Sequence, residues 1–443
     1  METQLAESFE LENLKNLLQQ ISDDIQINEI LNRRRTVYII DFFKKLDLRE
    51  LHIKDLGDEI GLFKQLNRLD LRTNDLKSLP LGIAKLINLK RLDLRWNPIK
   101  SLPKEIAGLQ RLRRLDLREC RFTSFPKEIL PISNLRQLLL NNNYLSIESF
   151  PEDIDRLDRL ELLSLRNMGL SRIPLSVTKL VNLIELDLGN NHISKIPDEI
   201  ENLQGLITLN FQKNQLIELP DALGNLTNLN RIDFRSNQLT SLPESLWQLK
   251  NMSRLDFIAN HLTSISEGVG ELKLLTELSF SDNKLKELPD SLKNLKMLRI
   301  LTLEENEIIE ISSSITSIEN LKELNYNTNQ LLDVPDRIKN LRNLEFLFLS
   351  KNQLKDIPPT ICDLPILREI WVSNNQLSHL PSDIDKLTKL EGLALDNNNI
   401  RDLPKSLLDL PNLKMINVKN NPLSDQSLSL LSDLKAKGVR VYE

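Results

Sequence analysis

The side chains with the widest chemical repertoire in this sequence are four histidines and two cysteines, which could bind a metal ion or act as nucleophiles. They are His52, His192, His261, His379, Cys120 and Cys362. No cysteine accompanies a histidine at metal-ligand spacing, and the sequence has no phosphate-binding glycine loop, nucleophile elbow or His-Glu-x-x-His motif. The adjacent acids Glu304 and Glu305 lack a partnered pocket. We therefore predict no metal, no cofactor and no enzymatic activity.

Arginine and aspartate alternate in the N-terminal part of the chain, where they could bind an anionic partner. The motif Arg-x-Asp-x-Arg occurs at residues 68–72, 91–95 and 114–118, and Lys-x-Asp-x-Arg precedes it at 45–49. Arginine forks bind carboxylate or phosphate groups through paired hydrogen bonds. The candidate contact residues are Arg68, Arg72, Arg91, Arg95 and Arg118, with Trp96 as a neighbouring anchor.

Stacked on adjacent strands, these motifs would form an acidic column between two basic columns, which has two interpretations. The flanking opposite charges offset repulsion within each column, so the arrangement can be a self-neutralising lattice that keeps the sheet soluble. Alternatively, two basic columns against one acidic column leave net positive charge, which predicts a docking site for an acidic partner surface.

Three large aromatic residues form a second candidate site. Phe346 and Phe348 are two positions apart, so they lie on the same face of a strand, and Trp371 takes the position of Phe348 in the next copy of a 23-residue repeat. Leu347 and Leu349 take the buried positions around them. We predict that the three aromatics adjoin each other on an exposed surface, either as an anchor for a partner or as a stack that stabilises the sheet.

The 23-residue repeat positions all of these side chains, and it is seen clearly in Leu89–Ile99, which reads L-x-x-L-x-L-x-x-N-x-I. The asparagine of this frame recurs as Asn74, Asn97, Asn143, Asn191, Asn214, Asn237, Asn260, Asn283, Asn306, Asn329, Asn352, Asn375, Asn398 and Asn421. Cys120 and Met168 replace it in two repeats, and Leu51 in a degenerate first repeat, which makes 17 repeats. We expect each asparagine amide to bond backbone groups of its own turn and of the next coil.

The full frame, L-x-x-L-x-L-x-x-N-x-L-x-x-L-P-x-x-I-x-x-L-x-x, resembles the leucine-rich repeat family. The 23-residue Leu-Pro variant is similar to that of bacterial leucine-rich repeat proteins and of intracellular Ras-group and scaffolding proteins. The resemblance implies an α/β solenoid, a horseshoe with a long parallel concave sheet and short helical or irregular convex segments. It also implies that the variable strand residues line the concave surface and bind a partner.

The repeat divides the chain into three predicted parts. Residues 1–42 are predicted to form an N-terminal helical cap, residues 43–423 the solenoid, and residues 424–443 a C-terminal cap of a helix and a strand. Two extra residues interrupt the frame near 146–150. This insertion is interpreted either as a tolerated surface loop or as a functional protrusion.

Composition narrows the class of partner. A formal net charge of -5 disfavours a nucleic-acid binder. Two cysteines in 443 residues, an acidic N-terminus and the lack of an apolar run of about 18 residues predict a cytoplasmic protein with no membrane span.

The function predicted is a non-enzymatic scaffold that binds a partner protein on its concave face, for example in signalling, with no small-molecule substrate. The alternative is the recognition module of a bacterial effector that acts on host proteins, without a ubiquitin-ligase domain. Neither Cys120 nor Cys362 has such a domain around it.

Overall fold

Each repeat in the computed structural model contributes one strand of three residues, formed where apolar residues alternate in the frame. The structure describes residues 44–443, so the predicted N-terminal cap over residues 1–42 lies outside the described part of the chain. Two compact units are present, Met1–Gln215 and Leu216–Glu443. Within each unit the strands run parallel, and each strand pairs with the next strand of the same unit.

In the described part of the first unit the strands are β1 (Lys45–Asp47), β2 (Arg68–Asp70), β3 (Arg91–Asp93), β4 (Arg114–Asp116), β5 (Gln137–Leu139), β6 (Leu162–Ser164), β7 (Glu185–Asp187) and β8 (Thr208–Asn210). In the second unit they are β9 (Arg231–Asp233), β10 (Arg254–Asp256), β11 (Glu277–Ser279), β12 (Ile300–Thr302), β13 (Glu323–Asn325), β14 (Phe346–Phe348), β15 (Glu369–Trp371), β16 (Gly392–Ala394), β17 (Met415–Asn417) and β18 (Arg440–Tyr442). The first and third residues of each strand lie on one side, called the sheet face below.

The middle residue of each strand points into the core, together with the other consensus leucines of the repeat. In the repeat of β3, Leu89, Leu92, Leu94 and Ile99 are at most 1% exposed. Burying one such side chain contributes about 1.5 to 3 kcal/mol, and no single repeat could bury all of them alone. Stacking of repeats is therefore what makes the core.

Aromatic residues replace the third leucine of the L-x-x-L-x-L motif in several repeats of the second unit. Phe234 and Phe257 stack with ring centroids 5.7 Å apart, and Phe257 and Phe280 stack at 5.5 Å. All three are fully buried. This internal stack was not predicted from the sequence, although the 23-residue spacing of its phenylalanines is visible there.

The consensus asparagine joins neighbouring coils through its amide. Nδ2 of Asn97 donates to the carbonyl oxygens of Leu94, at 3.0 Å, and of Leu71, at 2.9 Å, while its Oδ1 accepts from the backbone N–H of Leu76 at 3.1 Å. Leu71 and Leu76 belong to the preceding coil. The prediction that the amide bonds the next coil is therefore wrong in direction, because the side chain turns back toward the repeat already completed.

Cys120 and Met168 weaken this ladder. The thiol of Cys120 makes one hydrogen bond, to the carbonyl oxygen of Leu94 at 3.4 Å. Met168 has no side-chain donor, although its backbone N–H donates to Oδ1 of Asn191 at 2.9 Å. Leu51, at the same position of the first repeat, is 37% exposed.

Short 3-10 helices close each repeat on the side opposite the sheet face. Most follow a proline at the N-cap, such as Pro80 and Pro103, rather than beginning with it. In the first unit they are Asp58–Leu62, Leu81–Lys85, Lys104–Gly108, Lys127–Ile129, Ile147–Ser149, Ile154–Arg156, Leu175–Lys179 and Asp198–Asn202. In the second unit they are Asp221–Asn225, Glu244–Gln248, Glu267–Glu271, Asp290–Asn294, Ile315–Ser317, Asp336–Asn340, Pro359–Asp363, Ile384–Lys386 and Lys405–Asp409.

The insertion near residues 146–150 contacts the preceding repeat through its last two residues. It forms the 3-10 helix Ile147–Ser149, and Oγ of Ser149 accepts a hydrogen bond from the backbone N–H of Phe125 at 2.9 Å. Phe150 is 6% exposed and lies 5.3 Å from the ring of Phe125. Phe150 therefore packs into the core, whereas Ser146 and Glu148 are exposed to solvent.

The chain ends in the α-helix α1 (Asp425–Ala436), followed by β18. Oγ of Ser424 caps α1 by accepting from the backbone N–H of Ser427, and Gly438 adopts a φ of 87° just after the helix. A left-handed glycine at this place is a common helix end. Leu431 and Leu434 are buried, while Leu428 is 42% exposed.

The asparagine ladder generates a reciprocal prediction. We expect Cys120→Asn to raise the free energy of unfolding by about 1 to 2 kcal/mol, because an amide restores donors that a thiol lacks. We expect Asn97→Cys to lower it by about 1 to 3 kcal/mol, because buried backbone groups of Leu71, Leu76 and Leu94 lose their partner. Urea unfolding followed by circular dichroism measures both. A loss of stability in Cys120→Asn would contradict the role given to the amide.

Candidate functional site

The predicted arginine and aspartate columns form on the sheet face of the first unit. The strand register aligns Arg68, Arg91 and Arg114 in one column and Asp70, Asp93 and Asp116 in the next. Arg72, Arg95 and Arg118 follow their strands at the equivalent position of each repeat. These nine residues are called the arginine patch below.

The acidic column is not an exposed ladder, as the sequence pattern implied. The side chains of Asp70 and Asp116 are 3% and 1% exposed, because arginines fold over them. The Asp116 carboxylate lies 2.7 Å from Arg118, 3.3 Å from Arg114 and 3.5 Å from Arg95. Arginine guanidinium groups therefore form the outer layer of the patch, and aspartates the layer beneath.

The arginines after the strands are held by ion pairs. Arg95 donates from Nε and Nη2 to the two carboxylate oxygens of Asp93, both at 2.9 Å. The hydrogen bond with Asp93 raises the pKa of Arg95, with the charges of Asp116 and Asp70 adding to it. Such bidentate pairs fix the guanidinium in position.

The arginines at the start of the strands are less engaged. Arg68 reaches Asp70 at 3.5 Å, and Arg114 donates to Oε1 of Gln137 at 2.8 Å. The side chain of Arg91 is exposed and makes no hydrogen bond or ion pair with any described residue. These three arginines, with Arg95, Gln137 and Asp93, line a cavity of about 390 Å³ on the sheet face.

Trp96 lies beside the arginine patch and is 53% exposed. The guanidinium carbon of Arg95 stands 5.8 Å from the centre of its ring. The backbone of Trp96 has a φ of 55°, as does the residue before the ladder position in most repeats. This left-handed conformation costs an L-residue about 1 to 2 kcal/mol, and the repeat frame alone does not indicate it.

The three predicted aromatics adjoin each other in the second unit, and they are called the aromatic cluster below. Phe346 and Phe348 have ring centroids 6.3 Å apart, and Phe348 meets Trp371 edge-on at 4.8 Å. The register pairs Phe348 with Trp371. Leu347 and Leu349 are fully buried, so the aromatics lie on the sheet face and not in the core.

Charged residues missed by sequence analysis border the aromatic cluster. The guanidinium carbon of Arg368 lies 5.8 Å from the centre of the Phe346 ring. Nη2 and Nε of Arg368 donate to Oε1 of Glu391 at 2.7 and 3.0 Å. Arg368 directly precedes a strand, a position the repeat frame did not assign to the sheet face, so the pattern could have identified it only with a wider frame.

A cavity of about 420 Å³ adjoins Phe346 on the sheet face, and its lining includes Ile300, Glu277 and Glu323. Burial raises the pKa of Glu323, and the negative charge of Glu277 raises it further. The site therefore combines an apolar centre with carboxylates at its border, which suits binding of a mixed apolar and polar surface.

The residues with nucleophilic potential show no sign of activation. Burial raises the pKa of Cys120 to about 12 and that of Cys362 to about 11, so both thiols stay protonated at neutral pH. Across residues 44–443, no three or more histidine, cysteine, aspartate or glutamate side chains are grouped so that they could share a metal ion. No helix in that range is long and apolar enough to cross a bilayer.

Comparison with known proteins gives consistent matches to one family. The family described as "Leucine-rich repeat region" matches residues 176–282, and that described as "Leucine rich repeat" matches residues 64–122 and 365–423. The fold is similar to the leucine-rich repeat protein LIC12759 of Leptospira interrogans, with 32% identity and a TM-score of 0.79 over 93% of this chain and 98% of that one.

Two further solved structures are similar to this chain. YopM from Yersinia enterocolitica has 25% identity and a TM-score of 0.64, covering 91% of this chain and 83% of that one. The plant peptide hormone receptor RGFR1, solved in complex with RGF2, has 27% identity and a TM-score of 0.65, covering 86% and 67%. No curated protein sequence matches the chain.

The layered arginine patch predicts that two aspartates of one column contribute differently to the free energy of unfolding. We expect Asp116→Ala to lower the free energy of unfolding by about 2 to 3 kcal/mol, because three arginines lose a buried carboxylate. Asp47→Ala should cost less than about 1 kcal/mol, because that side chain is 52% exposed and Arg49 is its only ion-pair partner among residues 44–443. Chemical denaturation measures both, and equal losses would show that the layering contributes nothing.

Asp256, on the sheet face of the second unit, predicts a pH effect. Burial raises its pKa to about 6, although Arg235 and Arg254 lie 3.4 and 3.8 Å away. Above that pH the folded state must bury an ionised carboxylate, so this group lowers stability there, and the penalty fades as pH falls toward the ordinary aspartate pKa of about 4. We expect Asp256→Asn to raise the free energy of unfolding by about 1 to 2 kcal/mol at pH 8.

The stability gain in Asp256→Asn should shrink as the pH falls below about 6 and vanish below about 4, where both the folded and the unfolded wild type become protonated. Asp282→Asn, at an exposed position, serves as the control. Urea unfolding at several pH values gives the difference directly. A gain that stays constant with pH would not fit a shifted carboxyl group.

Proposed function

The chain belongs to the leucine-rich repeat family, and from this membership we propose that it is a non-enzymatic scaffold that binds a partner protein on its sheet face. The observation that carries the proposal is the aromatic cluster of Phe346, Phe348 and Trp371. Phe346 and Phe348 are half-buried, and Trp371 is exposed. Aromatic side chains grouped on an accessible surface are frequent at protein interfaces, where a few of them supply most of the binding energy.

The surroundings of Trp371 favour an anchor over a purely structural stack. Phe348 covers one edge of the Trp371 side chain. On the other side, the register pairs Trp371 with Ala394, a residue too small to cover an indole ring. Trp371 is 39% exposed as a result. A stack built only to stabilise the sheet would continue onto the next strand, so the uncovered flank is better explained by a partner.

Polar groups next to the cluster could complete the interface. Oγ of Ser373 donates to Oδ1 of Asp396 at 2.5 Å, and Nδ2 of Asn325 donates to Oε2 of Glu304 at 3.2 Å. Together with Arg368 they give the cluster a polar border, the usual anatomy of a protein interface.

The likeness to other repeat proteins supports a protein or peptide as the partner. The plant receptor RGFR1 is solved in complex with RGF2, and it is described as a peptide hormone receptor. We also propose the arginine patch, together with the neighbouring Trp96, as a second contact region of the same scaffold.

A second candidate function is the recognition module of a bacterial effector. It is favoured by the similarity to proteins of Leptospira interrogans and Yersinia enterocolitica. This candidate also acts by binding, because both thiols in the described residues are buried with raised pKa values. The two candidates differ in the origin of the partner, not in the surface that holds it.

The proposed function predicts that partner capture depends on the aromatic cluster. We expect the variant Phe346→Ala, Phe348→Ala, Trp371→Ala to lose the proteins that the wild type retains in affinity capture. For an isolated partner, Trp371→Ala alone should weaken binding about thirtyfold, the effect of removing an interface anchor. The measurement is quantitative mass spectrometry of captured proteins, followed by calorimetry with the partner.

The matched control removes exposed apolar side chains of the same unit away from the cluster. Met297, Ile309 and Leu332 are 46%, 52% and 58% exposed, and their triple alanine variant should capture partners as the wild type does. Circular dichroism must show that both variants keep their fold. If the cluster variant is folded and captures the same proteins, the proposed site is wrong.

A further inference from the structure

We propose that Arg68, Arg91 and Arg114 form a binding site for an acidic α-helix of a partner protein. This inference rests on the proposed function, partner binding by the sheet face, but it concerns the first unit and does not involve the aromatic cluster. It assigns a chemical class to the partner, namely a helix that carries carboxylates along one face.

The sheet face around β1 to β4 carries a surplus of positive charge. At the first and third positions of β1 to β4, and at the second residue after each of these strands, eight cations face four carboxylates. The cations are Lys45, Arg49, Arg68, Arg72, Arg91, Arg95, Arg114 and Arg118, and the carboxylates are Asp47, Asp70, Asp93 and Asp116. The whole chain has a formal net charge of -5. The patch is therefore a local region of opposite sign, which would attract an acidic surface and orient it.

The two basic columns of the patch differ in how closely their arginines pair with aspartates. Arg95 and Arg118 hold buried or half-buried aspartates at 2.7 to 2.9 Å, so their charge is already matched. Arg72, the third arginine of that column, reaches Asp70 at 3.4 Å. In the strand-start column, Arg68 and Arg114 approach aspartates at 3.5 and 3.3 Å, and Arg114 also donates to the neutral Gln137 at 2.8 Å. Arg91 lies between them in the register and has no side-chain partner among the described residues. The strand-start column therefore carries the less fully matched charge, with Arg91 at its centre.

The interval between the three arginines is close to the interval between carboxylates on one face of an α-helix. Neighbouring strands lie about 4.8 Å apart, so the three arginines start from positions in a row at that interval. Carboxylates on one face of an α-helix, at i, i+3 or i+4, and i+7, repeat at intervals of about 5–6 Å. Alternate residues of an extended strand repeat at about 6.6 Å, a poorer match. The cavity of about 390 Å³ that these arginines line is open to receive such a row.

The short length of the strand-start column disfavours nucleic acid as its ligand. After Arg114 the register continues with Gln137 and then Leu162, so the row of cations stops. With Lys45 beside Arg68 in the register, the four cations of the row span about 14 Å, whereas duplex DNA offers a continuous track with a charge about every 1.7 Å. A short acidic helix uses the whole row, while a long polyanion would run beyond it.

The test uses the full chain and synthetic peptides followed by fluorescence anisotropy. The probe is an alanine-based helical peptide with glutamates at i, i+4 and i+7. One comparison peptide has glutamines at those positions, and a short DNA duplex is the other comparison ligand. We expect the wild type to bind the glutamate peptide in preference to both, and raising the salt from about 0.05 M to about 0.5 M should weaken binding.

Arg91→Gln should weaken binding of the glutamate peptide about tenfold, as expected for the loss of one charge-assisted contact. The matched control is Arg231→Gln, because Arg231 is also an exposed arginine at the first position of a strand. That variant makes the same change in net charge and should bind the peptide as the wild type does. Circular dichroism of both variants checks the fold.

The inference would be overturned by any of these results: no preference for the glutamate peptide over the glutamine peptide, an equal loss in Arg231→Gln, no loss in Arg91→Gln, or tighter binding of DNA than of the peptide. These are separate from the test of the proposed function. If the glutamate peptide does not bind but capture still depends on the aromatic cluster, the acidic-helix site is wrong and the scaffold function stands. If peptide binding depends on Arg91 while the cluster variant captures the same proteins, only the cluster assignment fails.

Discussion

The turn at the end of each strand leaves backbone carbonyl and amide groups inside the stack, where they need partners other than water. The asparagine at this position satisfies them with one amide. In Asn97 the same side chain serves the carbonyl of Leu94 in its own turn and the backbone of Leu71 and Leu76 in the preceding coil. Because the bonds join two coils at fixed atoms, they set the register between neighbouring repeats, and the leucine core can then stack.

A fixed register turns sequence position into surface position. Residues one repeat apart become neighbours on adjacent strands, so one residue type repeated at one place in the frame becomes a column. The arginine patch and the aromatic cluster are both products of this rule, with opposite character. In the first, repetition creates a charge surplus over buried aspartates. In the second, a change of residue type in only two repeats creates an apolar surface with an uncovered edge at Trp371.

Features that depend on register could be predicted from the sequence. The alignment of Arg68, Arg91 and Arg114 and the contact of Phe348 with Trp371 follow from the 23-residue spacing alone. The burial of Asp70 and Asp116 could not be predicted, because it depends on which way flexible arginine side chains fold. The direction of the asparagine bonds also requires the path of the coil, which the frame does not contain. What the columns bind is a matter of chemistry at the surface, so the partner stays a proposal.

The coupling between neighbouring repeats of the first unit is weakened at Met168. A stack of repeats is held by couplings between nearest neighbours, so its cooperativity is only as continuous as its weakest coupling. At Met168 the amide that ties most coils to the one before is replaced by a thioether, while the backbone N–H still bonds forward to Asn191. We therefore expect the repeats on either side of this residue to separate at a lower cost in free energy than repeats that an asparagine joins. Under tension, this junction would yield before those that the ladder holds.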